Sequence, residues 1–248
     1  MRKYTKENSY LCIMIKLVVF DFDGTLGDTL ELILKCNHET RRRMGAPVIP
    51  DSAIIATIGI PLRDGIREMN PGIPEADIPL WFKTYREVFA QYEHTIIPAL
   101  FPGVKETLAS LHSRGCILTV ASSRETDSLN TFLRGMGIAQ YFSYVLGAED
   151  VTHAKPNPEP VLKTLEHFGM NGSEALVVGD MPVDIQMGLG AGAFTCGVTF
   201  GNSSREALKA AGAHHIIDRF EEISAIPELS GLSSASQGGQ LRPMAERQ

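Results

Sequence analysis

The sequence predicts an α/β fold: a doubly wound parallel sheet with helices on both faces and a helical segment inserted after the first strand. Three observations predict it. Short apolar runs recur at 16–21, 116–121, 142–146, 175–179 and 194–198, and helical periodicity fills most of the sequence between them. The runs are apolar at nearly every position rather than at alternate ones, which suits strands buried on both sides. The alternation lapses between about 30 and 95, where one helical pattern follows another with no strand between.

Residues 1–14 read as a loosely ordered extension without the long apolar stretch or small-residue cleavage site of a signal peptide. The first strand is expected at 16–21. A helix from Thr29 to Met44 follows, with Leu30, Ile33, Leu34 and Asn37 on one face. Arg41, Arg42 and Arg43 near its end suit the negative pole of the helix dipole. Asp51 is the expected N-cap of a second helix, which Gly59 and Pro61 break. A third helix covers Leu62–Met69 and ends before Pro71-Gly72 and Pro74. Over Glu75–Glu93 the residues Ile78, Trp81, Phe82, Tyr85, Phe89 and Tyr92 form an i, i+3, i+4, i+7 stripe, expected to be the core of a helix bundle. Pro98 to Gly103 is the return linker.

Helices at 103–114, 125–136, 158–168 and 183–190 then alternate with the remaining strands. Residues 203–226 add a helix, a short strand at His215–Ile217 and a final helical turn. This organisation predicts a core domain from residues 15–28 and 97–228, an inserted helical domain at 29–96, and a Ser-, Gly- and Gln-rich disordered tail at 229–248.

Composition excludes several classes. The 248 residues carry a net charge of −6 and a pI of about 5.7, with no basic stretch to meet a nucleic-acid backbone. No apolar run approaches the ~20 residues needed to span a bilayer. Cys12, Cys36, Cys116 and Cys196 are far apart and form no CxxC pair, as expected of reduced, buried thiols in a cytoplasmic protein. A monomer or homodimer is expected.

The first strand runs into Asp21-Phe22-Asp23-Gly24-Thr25. In extended backbone the side chains at i and i+2 share a side, so Asp21 and Asp23 can address one ligand. Gly24 lets the chain turn away sharply. Ligands of open parallel sheets bind just beyond the carboxyl ends of the strands, where these acids fall. Ser122, Ser123 and Arg124 follow the strand at 116–121, and Gly179-Asp180, with Asp184 four residues later, follows the strand at 175–179. Lys155 stands alone before Pro156, Pro158 and Pro160, in a loop near a strand end. Gathered together, Asp21, Asp23 and Asp180 would repel by about 4 kcal/mol per pair at 4 Å and an effective dielectric near 20. Such a cluster needs protonation or a cation. Carboxylate oxygens with no His or Cys in the motifs favour Mg²⁺.

In their order, DxDGT, Ser, Lys and GDxxxD resemble the four motifs of the haloacid dehalogenase superfamily, over about residues 15–220. The resemblance implies a Rossmann-like core and makes the helical insert a cap like that of the phosphoglycolate phosphatase and β-phosphoglucomutase branch. It implies that Asp21 attacks a phosphoryl group to form an aspartyl-phosphate. Asp23 would protonate the leaving oxygen and later activate water. Ser122, with Ser123, would hydrogen-bond the phosphoryl oxygens, and Lys155 would balance charge. The implied Mg²⁺ ligands are Asp21, the main-chain carbonyl of Asp23, and Asp180. Asp184 would meet the ion directly, through water, or instead bond Lys155.

Arg63, in a Gly59-Ile60-Pro61-Leu62-Arg63 segment resembling the cap loop of that branch, and Arg67 are candidate contacts to a substrate anion. The expected partner is a small phosphorylated metabolite, with phosphoglycolate first. A phosphomutase or inorganic pyrophosphatase is the alternative; a dehalogenase or a non-catalytic binding protein fits the retained acids less well. Two motifs depart from the commoner pattern: Ala-Ser-Ser-Arg stands where many relatives carry Thr-Asn-Lys, and Met181 stands where Thr or Ser is frequent.

Overall fold

The computed structural model describes residues 14–229, and the fold is given for these. Six parallel strands form one sheet in the order β5-β4-β1-β6-β7-β8. They are β1 (Leu17–Phe20), β4 (Ile117–Ala121), β5 (Phe142–Leu146), β6 (Ala175–Gly179), β7 (Phe194–Val198) and β8 (His215–Ile217). β1 is central: Leu17 pairs with Ile117 on one side and Ala175 on the other. Connections after β1 therefore run first to one side and later to the other, which leaves a crevice at the carboxyl ends of β1, β4 and β6.

The fully apolar strands divide their side chains between two cores. Val18, Phe20, Leu176 and Val178 join the core on one face, while Leu17, Val19, Ala175 and Val177 join that on the other. Helices α5 (Val104–Ser113), α6 (Thr126–Gly135), α7 (Glu159–Phe168), α8 (Pro182–Gly190) and α9 (Arg205–Ala210) complete the layers. Leu229, assigned to the tail by composition, is fully buried, and its carbonyl accepts a hydrogen bond from Arg114. The rest of the expected tail and most of the N-terminal extension, Cys12 included, lie outside the described residues.

The insert consists of α1 (Leu30–Arg43), α2 (Asp51–Ile55), α3 (Leu62–Met69) and α4 (Ile78–Tyr92). Two short strands at its root went unforeseen: β2 (Gly27–Asp28) and β3 (Ala99–Leu100) pair antiparallel, so the outgoing and returning chains form a two-stranded ribbon. A two-residue strand carries no readable periodicity, and only the meeting of distant segments creates it.

Tertiary packing also shifts several expected details. The buried side of α1 is Leu32, Cys36, Asn37, Thr40 and Arg41, rather than the face centred on Leu30, Ile33 and Leu34. Arg41 is 5 % exposed and donates to the Pro47 carbonyl at 2.7 Å and to Asn70 Oδ1 at 2.9 Å. It therefore brackets two cap loops as well as ending a helix. Asp51 is the first helical residue of α2, with Pro50 at the cap, and its carboxylate meets His38 at 2.7 Å. Residues Glu75–Asp77 form a 3₁₀ turn before α4, and α6 begins at Thr126 after Glu125.

The aromatic stripe of α4 serves two surfaces. Ile78 and Phe89 are buried, whereas Phe82, Tyr85 and Phe89 line a cavity between the helical insert and the sheet. The expected bundle core is thus also one wall of the crevice.

Candidate active site

β1, β4 and β6 end side by side, and each releases the chain through a buried polar residue: Asp21, Ser122 and Asp180. Gly24 adopts φ +83°, and a Cβ there would collide with the Asp180 carboxylate and Asn202. The glycine both permits the turn and allows the loops after β1 and β6 to touch. Gly179 allows a close approach of another kind, since a Cβ there would overlap Asp184 of α8.

Lys155 Nζ donates to Asp21 Oδ1 at 2.5 Å and to Asp184 Oδ1 at 2.7 Å. Asp184 Oδ2 accepts the Met181 amide at 3.0 Å. Asp180 Oδ2 accepts the backbone and side-chain amides of Asn202 at 2.7 and 2.8 Å, and Thr25 reaches Oδ1 at 3.4 Å. All four charged groups are at most 4 % exposed. Oxygens from Asp21, Asp180 and Asp184 lie within 4.8 Å of one another.

Three buried carboxylates thus gather around one ammonium, which bonds two of them directly, Asp21 and Asp184. Burial raises Asp21 well above the usual carboxylate range; Lys155 opposes the shift and the neighbouring acids reinforce it. Burial and then Asp184 raise Asp180 to about 7, against the pull of the Asn202 amides. Burial pushes Lys155 down, but Asp184 and Asp21 more than reverse this, so its ammonium is held above the ordinary value. Excess negative charge among hard oxygen donors fits a divalent cation. Asp184 has both oxygens engaged, while Asp21 Oδ2 takes no hydrogen bond among the described residues.

Asp23 has other partners. The extended backbone of β1 stops at Phe20, and the Asp23 side chain accepts Thr29 Oγ1 at 2.6 Å and Arg124 through Nη2 at 2.5 Å and Nε at 3.3 Å. The Arg124 guanidinium is 4.9 Å from the Phe132 ring centroid, 5.3 Å from that of Phe89 and 5.8 Å from that of Phe22. Asp21 and Asp23 nevertheless border the same cavity, of about 670 Å³.

Ser122 is buried, and its Oγ accepts the Arg124 amide at 3.2 Å. Ser123 donates to the Gly59 carbonyl at 2.6 Å, so in this arrangement its hydroxyl proton faces the cap loop rather than an anion. Arg63 lines the cavity with its guanidinium 4.4 Å from the Phe82 centroid. Arg67 lines it too, but is paired with Asp64 at 2.6 Å and Glu75 at 2.7 Å.

Sequence reasoning missed Thr29, Asn202 and the role of Arg124. Asn202 carried a usable signal, since it lies just beyond the carboxyl end of β7. Thr29 carried none, because its role arises where the ribbon to the cap bends past Asp23.

Residues 18–198 match the family model of the haloacid dehalogenase-like hydrolases. The chain is 37 % identical over 213 residues to "Probable phosphatase IndB" of Dickeya dadantii, spanning 85 % of this chain and 92 % of that one. It is 30 % identical over 230 residues to the phosphoglycolate phosphatase of Pectobacterium atrosepticum, spanning 90 % and 96 %. A crystal structure described as that of "a predicted phosphoglycolate phosphatase" from Haemophilus somnus superposes with a TM-score of 0.77 at 26 % identity, covering 85 % of this chain and 97 % of that one. A family model matched over most of the chain, and relatives of 30 % identity or more along nearly their whole length, leave one conclusion: this chain belongs to the haloacid dehalogenase-like hydrolases.

Proposed function

We propose that the protein is a Mg²⁺-dependent phosphatase that hydrolyses a small phosphomonoester through an aspartyl-phosphate on Asp21. The observation that carries the proposal is the buried cluster of Asp21, Asp180, Asp184 and Lys155 at the strand ends, in which Asp21 keeps one oxygen free of hydrogen bonds. A carboxylate is a weak nucleophile, and an incoming phosphate dianion repels it unless cations offset the charge.

Asp21, Asp180 and the Asp23 carbonyl would hold the ion. Both Asp184 oxygens are engaged, so its part is to fix Lys155 against Asp21. When bound, Mg²⁺ supplies charge neutralisation and orients the phosphoryl group for in-line attack. Ser122 and nearby backbone amides would receive phosphoryl oxygens, and Lys155 would offset charge as the bond to Asp21 forms. Asp23 serves proton transfer at the leaving oxygen. Its hydrogen bonds with Arg124 and Thr29 must loosen for this, so that a carboxyl oxygen can reach the leaving oxygen. A cap over the crevice would exclude water and contact the alcohol part of the substrate. The free, buried thiols of Cys36, Cys116 and Cys196 suit the cytoplasm; burial raises the first and last to about 12 and Cys116 to about 11.

Phosphate release from a panel of phosphomonoesters, with Mg²⁺ or with chelator, tests the proposal. Turnover should require the metal, and Asp21→Asn should lower kcat by about 10⁴-fold or more. An Asp21→Asn protein with full Mg²⁺-dependent activity would overturn it.

A further inference from the structure

The cavity beyond Asp21 is large and largely apolar for a site assigned to the smallest phosphoesters. Its volume of about 670 Å³ lies in the range of pockets that enclose whole organic ligands, roughly 300–1,000 Å³. Phe82, Tyr85 and Phe89 line it from α4, Leu62 from α3 and Ile58 from the preceding loop. Phosphoglycolate or pyrophosphate would leave these walls against water.

The charges in the cavity point the same way. Arg67 is paired with Asp64 and Glu75, Arg86 with Glu125 at 2.5 Å, and Arg124 with Asp23. Among the described guanidiniums that line the cavity, only Arg63 has no acidic partner, and it lies over the face of Phe82. A second, multiply charged anion would find one uncommitted cation there. The Tyr85 hydroxyl has no hydrogen-bond partner among the described residues, and burial raises it far above its ordinary pKa, with Arg124 and Asp23 close enough to contribute. That phenol stays neutral and is able to donate to an acceptor on a ligand.

We propose that the alcohol part of the substrate carries a planar ring with a polar edge, which packs against Phe82 and Tyr85, with Phe89 buried behind them, while the ester phosphate sits over Asp21. The substrate class is then the phosphomonoesters of ring-bearing alcohols, with phosphoglycolate and pyrophosphate as poor substrates. The inference rests on the phosphatase reading for its phosphate end only; the aromatic wall binds its ring whether or not turnover follows. Aromatic faces reward offset or edge contacts with another ring, and a neutral phenol selects a hydrogen-bond acceptor at the ring edge.

The test uses two matched pairs of alkyl phosphates that differ in the ring: benzyl against ethyl phosphate, and uridine 5′-monophosphate against ribose 5-phosphate. Leaving-group reactivity is similar within each pair. With Mg²⁺, the ring-bearing member of at least one pair should show a kcat/KM about tenfold or more above its partner, and above phosphoglycolate and pyrophosphate. Phe82→Ala, or Phe82→Leu if the alanine variant misfolds, should erase most of that advantage. Equal values within both pairs, or an advantage untouched by either variant, would overturn the inference. If no phosphate is released from any compound, the phosphatase reading fails on its own. Calorimetric binding of the same pairs to the wild-type protein then decides the ring preference: tighter binding of a ring-bearing member supports it, and equal affinities overturn it.

Discussion

At the residue scale the site is governed by one ammonium among three acids. Lys155 is buried and meets Asp21 and Asp184 at hydrogen-bond distance, so it is both a charge balance and a spacer. Lys155→Met keeps much of the side-chain volume but leaves two buried carboxylates without a cation. Loss of one partner of a buried ion pair typically costs about 3–5 kcal/mol, and chemical denaturation of the variant should show a loss of that order. Phosphatase activity should fall with it, and it should stay low under conditions where the variant is fully folded. A variant that is as stable as wild type would mean that the acids are already protonated. Sequence placed Lys155 only in a Pro-rich loop; that it reaches Asp184 as well as Asp21 depends on a turn of α8 that delivers Asp184 to the same point.

At the element scale the cap meets the core through single polar contacts as well as apolar ones. The Ser123 hydroxyl ties the loop after β4 to the Gly59 carbonyl in the loop before α3. A neutral hydrogen bond of this kind contributes about 0.5–1.5 kcal/mol net. Ser123→Ala should therefore loosen the contact between cap and core, raising KM by up to about tenfold while kcat at saturation changes less. A parallel fall in kcat would instead give the hydroxyl a part in the chemistry. Element types were legible because their periodicities are long: Leu62–Met69 and the strands at 142–146, 175–179 and 194–198 fall where the apolar patterns put them. The ribbon of β2 with β3 and the buried side of α1 were not, because partners remote in sequence decide both.

At the scale of the whole molecule, the fold concentrates negative charge at one point and accepts the cost. Asp180 is raised from its unfolded value of 3.8 to about 7, so between those limits the folded protein binds more protons than the unfolded chain. Stability attributable to this group is present below its unfolded pKa and declines as pH rises through the folded one. Metal-free protein should accordingly melt at a lower temperature at pH 8 than at pH 6. Added Mg²⁺ should raise Tm more at pH 8, where it need not displace a proton, than at pH 6. A Mg²⁺-induced rise that is larger at pH 6 would contradict the assignment of these acids to the ion. Opposing titrations elsewhere shift both melting curves together and leave the metal-induced difference readable.

The sequence alone determined the strands and helices of the sheet layers, the position of the helical insert and the acids that stand at strand ends, because these follow from apolar period, glycine and strand-end chemistry, all local properties. That the acids meet at one site was implied by the family resemblance. Tertiary structure decided which acid meets which base: Lys155 bridges Asp21 and Asp184, while Arg124 and Thr29 hold Asp23. It also turned the aromatic stripe of α4 from a bundle core into the wall of a cavity. Local pattern states that a face is apolar, but only the arrangement of neighbouring elements states whether protein or ligand covers it.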